Sequence, residues 1–185
     1  DYRDEWGLSN RFLENKGYGR LALAFQARLQ RRATRAASAL IATTTSSAAS
    51  VATVARDAGG LAEVACICNG FDPDDFPAPD AQTRTGDRFR IVYTGTLWNL
   101  TSVAPLVDAV ERLCRETPQL ATRLELVFAG RRTADQQAML ARLGGLPVRL
   151  VEHDYVGHDV VIGLMQSADV LCALLTGAPG AERVL

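Results

Sequence analysis

Residues 88–175 alternate without a break between apolar, strand-like runs and helix-patterned runs, and nothing else in the chain constrains its fold as tightly. RFRIVYTG (88–95) reads as a strand ending in glycine. Thr101-Ser102 is expected to cap a helix reaching about Thr117, with Val103, Leu106, Val107, Val110 and Leu113 on its apolar side. RLELVFA (123–129) is the next strand, followed by Gly130. A helix over 134–143, the strand VRLVE (148–152), a helix over HDVVIGLMQSA (158–168) and the strand DVLCALL (169–175) complete the series. Strands separated by helices predict a parallel sheet, because parallel neighbours need a long crossover connection.

Upstream lies a second, shorter α/β pattern. Leu21, Phe25 and Leu29 recur every four residues in a helix expected over 18–37, whose outer face carries Arg20, Arg28, Arg31, Arg32 and Arg35. Such a face is either simply solvated or in contact with acidic lipid headgroups. ALIAT (39–43) reads as a strand, and the Thr-Ser cluster at 43–47 as the cap of a helix running to about Arg56 and stopped by Gly59-Gly60. A strand over 64–68 follows.

Asn69-Gly70 would turn a hairpin in another setting. Here the partner strand would have to grow from PDDFPAPDAQTRTGD, whose three prolines and several acids cannot pair in a sheet. The expected organisation is therefore a first domain over 1–70, a linker over 71–87 and a second domain over 88–185. The fold class expected is α/β, with parts of two Rossmann-like domains and parallel sheets.

Composition excludes several function classes. A net charge of −1 gives no electrostatic basis for a nucleic-acid partner. No run approaches the roughly 20 apolar residues that cross a bilayer. Cys66, Cys68, Cys114 and Cys172 lie in apolar runs without metal-site spacing, and are read as buried free thiols in a reducing compartment. No metal is expected, since no acidic pair or D-x-D ends a strand. The chain opens on DYRDEW without a methionine or a signal-peptide pattern, and is expected to be an internal piece of a longer cytoplasmic protein.

Ligands of open parallel sheets gather outside the carboxyl ends of the strands. Gly95 and Gly130 stand at two such ends, where a glycine lets a ligand approach the backbone. With Thr96, Thr101 and Ser102 the first loop makes a diphosphate cradle, or else an ordinary strand-to-helix turn. Arg131 and Arg132 add cations suited to phosphate, or are surface arginines. In the third loop, Tyr155 can stack on a base and the Val156 backbone can bond its edge, while His158 is either an acid/base or the cap of the next helix. Asp1, Arg3, Asp4 and Trp6 combine acid, guanidinium and indole, a set suited to sugar hydroxyls and apolar sugar faces, or to a structural Arg3–Asp4 pair.

Together, D-x-R-D-x-W at 1–6, ICNGFDPDDF at 67–76, IVYTGTLW at 91–98 and DYVGHDVVIGLMQSADVLCALL at 154–175 resemble, in order and spacing, bacterial glycosyltransferases of family 4. The resemblance implies the GT-B fold, two Rossmann-like domains facing one cleft. It also implies transfer of a sugar from a nucleotide-sugar donor to a saccharide, lipid-linked or small-molecule acceptor, with retention at the anomeric carbon. It places Gly95 and Thr96 near the donor diphosphate, Tyr155 to His158 near the nucleobase, and Asp1 to Trp6 on the acceptor side. Two features depart from the family's pattern. The G-R…K cation pair is missing after the first donor-domain strand, so either Arg131 or Arg132 substitutes, or relatives with a Y-T-G-T loop use another residue. The catalytic acidic motif is expected beyond Leu185, leaving the 185-residue chain alone inactive. The implied setting is cell-surface polysaccharide or glycolipid synthesis at the inner face of the membrane. A nucleotide-sugar epimerase of the same fold and a noncatalytic α/β binding module are the alternatives.

Overall fold

The structure is a computed structural model that describes residues 19–76 and 86–177. Its contacts divide the chain into two compact units, with boundaries between Gly70 and Phe71 and between Thr176 and Gly177.

In the first unit, helix α1 (Arg20–Ala36) leads into strand β1 (Ala39–Ala42), helix α2 (Thr45–Asp57) and strand β2 (Glu63–Cys66). Thr44 caps α2 through its side chain, which accepts from the Ser47 N–H at 3.0 Å. Gly59 ends the helix with φ of 72°. A β-carbon at Gly60 would sit 3.0 Å from the Thr34 carbonyl oxygen, so glycine there lets the turn press against the end of α1. β1 and β2 pair in parallel, Ala39 opposite Glu63 and Ala42 opposite Cys66, over a small core of Leu40, Ala42, Val51 and Ala55. Helix α1 buries Thr34, while Leu21, Phe25 and Leu29 are exposed. Cys66 and Cys68 are also exposed, which corrects the expectation of buried thiols for these two: Cys66 is the last residue of β2 and Cys68 lies beyond it, outside the sheet.

The second unit begins with a single 3₁₀ turn, Pro73–Asp75, capped by Asp72, whose carboxylate accepts from the Asp74 N–H at 3.0 Å. Beyond it run β3 (Phe89–Thr94), α3 (Ala104–Glu116), the one-turn α4 (Pro118–Ala121), β4 (Leu124–Ala129), α5 (Ala134–Ala141), β5 (Arg149–His153), α6 (His158–Gln166) and β6 (Val170–Leu171). All pairings are parallel, in the order β5-β4-β3-β6. β4 has both faces covered and every one of its residues is buried, as a central parallel strand requires. Leu126 and Phe128 there pack with Tyr93, Leu97, Val103, Val107, Leu140 and Leu143.

Two expectations change. The strand read over 169–175 pairs only at Val170 and Leu171, after which the Cys172 N–H still bonds the Val92 carbonyl but the chain leaves the sheet. Helix α3 starts at Ala104, whose N–H donates to Ser102 Oγ at 3.3 Å, whereas Thr101 Oγ1 bonds Trp98 and Thr96 and does not cap it. Its first turn is held from across the fold by buried Gln136, whose Oε1 accepts from the Val103 N–H at 2.8 Å.

Candidate functional site

β3 and β4 run side by side to their carboxyl ends, with Thr94 opposite Ala129 in register. Each then passes into a glycine of positive φ, 144° at Gly95 and 133° at Gly130. The two glycines touch. A β-carbon at Gly130 would lie 2.2 Å from the Gly95 carbonyl oxygen, and one at Gly95 would lie 3.2 Å from the Tyr93 hydroxyl. No other residue type fits at Gly130 without moving backbone.

Behind this edge, the loop after Gly95 is folded by its own hydroxyls. The Thr96 carbonyl accepts from Tyr93 Oη at 3.1 Å and from Thr101 Oγ1, while Thr101 Oγ1 accepts from the Trp98 N–H at 3.2 Å. Burial pushes the Tyr93 phenol above its ordinary pKa, with the Thr101 hydroxyl working in the opposite direction and Cys172 adding a small rise. The Leu97 N–H donates to the Arg131 carbonyl, and the Thr133 N–H to the Leu97 carbonyl, so the first and second edge loops are laced together.

These loops border an open cavity of about 510 Å³ lined by Thr94, Gly95, Thr96, Ala129, Gly130, Arg131, Tyr155, Val156 and Val161. Among the positions picked out from the sequence, Gly95, Thr96, Gly130, Arg131, Tyr155 and Val156 come together here. The cavity has an apolar wall at Val156 and Val161, backbone at the glycines and one cation, a lining fit for an anionic ligand with a flat apolar end.

Arg132 is not in this lining. Consecutive residues of an extended segment face opposite ways, and Arg132 is extended enough to bridge Leu97. Its guanidinium bonds Glu152 at 2.8 Å, the His153 carbonyl at 2.6 Å and Asp154 at 3.3 Å, with the side chain nearly buried. The charge of Arg132, one of the two arginines expected to serve phosphate, is thus engaged by the third loop. His158 likewise stands apart from the lining. It is the first residue of α6, capped by Gly157, and its Nε2 lies 3.1 Å from an Asp75 carboxylate oxygen. Asp1, Arg3, Asp4 and Trp6 lie outside the described residues.

Sequence reading missed Tyr93 and Gln136. Tyr93 was legible in principle, since it lies two residues before Gly95 on the same face of a strand. Gln136 was not, because its partner is 33 residues away.

A second cavity, of about 310 Å³, opens at the opposite end of the sheet, lined by Arg88, Arg90, Arg149, Asp87, Glu125, Ser167 and Asp169. Buried Glu125 sits between Arg90 and Arg149, and Arg90 also donates to Ser167 at 2.9 Å. Glu125 thus answers two of the three arginines, while Arg88 donates to the Thr122 carbonyl and Asp169 accepts from the Arg90 N–H at 2.8 Å. Among the described residues, no three His, Cys, Asp or Glu side chains gather as they would to hold a metal ion. No described helix is long and apolar enough to cross a membrane.

No protein-family model and no curated protein sequence matches the chain. Solved structures do. A crystal structure of TarM superposes with a TM-score of 0.55 at 10% identity, over 89% of this chain and 30% of that one. A single-residue mutant of S. aureus TarM, in complex with fondaparinux, alpha-GlcNAc-glycerol and UDP, superposes with a TM-score of 0.53 at 9% identity over the same shares. The chain thus spans about 30% of the length of these structures. Likeness at such identity shows the fold: α/β with parallel sheets, as the strand and helix alternation predicts, and of the GT-B type that the resemblance implies.

Proposed function

We propose that this chain is part of a retaining glycosyltransferase that takes its sugar from a nucleotide-sugar, and that the cavity at Gly95 and Gly130 is its donor site. The observation that carries the reading is the pair of touching, positive-φ glycines at the carboxyl edge of a parallel sheet. A bare backbone edge there suits a diphosphate, which needs close approach to peptide N–H groups. Gly95, Thr96 and Gly130 take the diphosphate; Tyr155 and Val156 take the base. The UDP and sugar ligands of the S. aureus TarM mutant are consistent with a donor of this class.

The chemistry assigned to the site is electrostatic. Bond cleavage at the anomeric carbon leaves negative charge on the diphosphate, and a prearranged polar edge stabilises that charge with little reorganisation. The acceptor is a saccharide, a lipid-linked or a small-molecule hydroxyl compound, met by Asp1, Arg3, Asp4 and Trp6. The wider setting is polysaccharide or glycolipid synthesis in the cytoplasm, with peripheral membrane contact through the arginines of α1.

The test is product analysis with the full-length protein and a panel of UDP-, GDP-, ADP- and dTDP-sugars with saccharide and lipid-linked acceptors. A glycosylated product of unchanged anomeric configuration by NMR is the expected result. Inverted product contradicts retention. Free epimerised nucleotide-sugar points to an epimerase, and no consumption of any donor to a binding module.

A further inference from the structure

Two adjacent arginines meet the third edge loop in different ways. Arg132 grips the backbone and carboxylates of 152–154 from behind, as described above, and so fixes the base of the loop that carries Tyr155. Arg131 faces the cavity, and its guanidinium carbon lies 5.7 Å from the centroid of the Tyr155 ring. Tyr155 itself is 78% exposed, so this ring is covered by little else. The backbone of Arg131 is held as well, since its carbonyl accepts from the Leu97 N–H at 2.8 Å.

We infer that Arg131 and Tyr155 form a stacking platform for the nucleobase of the donor, and that Arg131 acts at the base end of the site and not on the diphosphate. The inference rests on the donor-site reading above and sharpens it. A planar guanidinium and a phenol ring offer the two kinds of flat face on which bases stack. A diphosphate ligand for Arg131 would have to draw the guanidinium off Tyr155, whereas a base is met where the side chain already lies. Such a platform accepts any base by stacking, so discrimination among bases falls to the backbone edge at Val156.

Calorimetric and competition titrations of the full-length protein separate the two ends of the site. The probes are UDP, GDP, ADP and dTDP, the nucleoside of whichever binds best, and inorganic pyrophosphate. Arg131→Ala is expected to weaken the nucleoside and its diphosphate alike, by about tenfold, with pyrophosphate unchanged. Arg131→Lys, which keeps the charge and loses the plane, should weaken the nucleoside and also leave pyrophosphate unchanged. If Arg131→Ala weakens pyrophosphate while the nucleoside is unaffected, Arg131 belongs to the diphosphate and the inference is overturned, with the donor site intact. Unchanged affinity for all probes overturns it too. Failure of the wild type to bind any of the four diphosphates overturns the donor-site reading itself. Thermal unfolding of each variant separates lost binding from lost folding.

Discussion

A β-carbon placed on Gly130 would stand 2.2 Å from the carbonyl oxygen of Gly95, closer than any real contact, and both residues hold positive φ. Glycine is therefore obligatory at the junction of the β3 and β4 edge loops for a reason of packing as well as of backbone freedom. Gly130→Ala should destabilise the protein by about 2 kcal/mol or more, since strain and backbone displacement act together. Gly95→Ala meets the Tyr93 hydroxyl at 3.2 Å, a side-chain group able to shift. It should cost less stability than Gly130→Ala yet still weaken nucleoside diphosphate binding. Urea denaturation and calorimetry on the two variants check the order. Equal stability of Gly130→Ala and wild type would contradict the packing of these two glycines.

Tyr93 supports the same edge from below. Tyr93→Phe removes its bond to the Thr96 carbonyl and should cost about 1 kcal/mol while loosening the loop that lines the cavity. Burial raises the Tyr93 pKa above its ordinary 10.0 in the folded state. The folded protein then binds this proton more tightly than the unfolded chain, so the contribution is full below about pH 10 and is lost as pH rises through the folded value. The fall in stability above about pH 10 should be shallower in Tyr93→Phe than in wild type. Parallel curves would remove Tyr93 as a cause of alkaline unfolding.

Arg132 and Arg131 should separate cleanly by stability. Removing Arg132 leaves the largely buried contact with Glu152 and the His153 carbonyl unmade. Arg132→Ala should therefore lower stability by about 2 kcal/mol, and a double-mutant cycle with Glu152→Gln should show coupling. Arg131→Ala, at an exposed position, should change stability by less than about 0.5 kcal/mol. Thermal and urea unfolding read both. A larger loss from Arg131→Ala than from Arg132→Ala would reverse the assignment of brace and platform.

How far the sequence discloses this arrangement depends on the range of the interaction involved. The four parallel strands and the glycines at two of their ends follow from apolar periodicity and turn chemistry, both local signals. The gathering of Gly95, Gly130 and Tyr155 follows in turn, because in a parallel sheet every strand ends on the same edge. The division of labour between Arg131 and Arg132 is not local. It depends on which of two neighbours faces the cavity, and that is set by the bridge between Arg132 and Leu97 on another loop. The start of α3 is only half legible, since Ser102 Oγ accepts locally from the Ala104 N–H while the Val103 N–H is satisfied by Gln136 from α5. Cys66 and Cys68 looked interior because apolar neighbours surround them in sequence, but burial of a strand depends on what covers it.

The amino-terminal end of the sheet provides an internal control. Glu125 is buried between Arg90 and Arg149, and its removal leaves two arginines facing each other without their carboxylate. Glu125→Ala should destabilise by about 1–2 kcal/mol, because the arginines it leaves behind reach solvent, and leave nucleotide affinity unchanged in the protein that remains folded. A selective loss of nucleotide binding, with stability intact, would move the ligand site to this end.

A crystal structure of the full-length protein with its best-bound nucleoside diphosphate tests the donor-site assignment most directly. Diphosphate oxygens are expected against the backbone of Gly95, Thr96 and Gly130, with the base beside Tyr155. Density for the nucleotide in the opposite cavity, among Arg88, Arg90 and Arg149, would contradict that assignment.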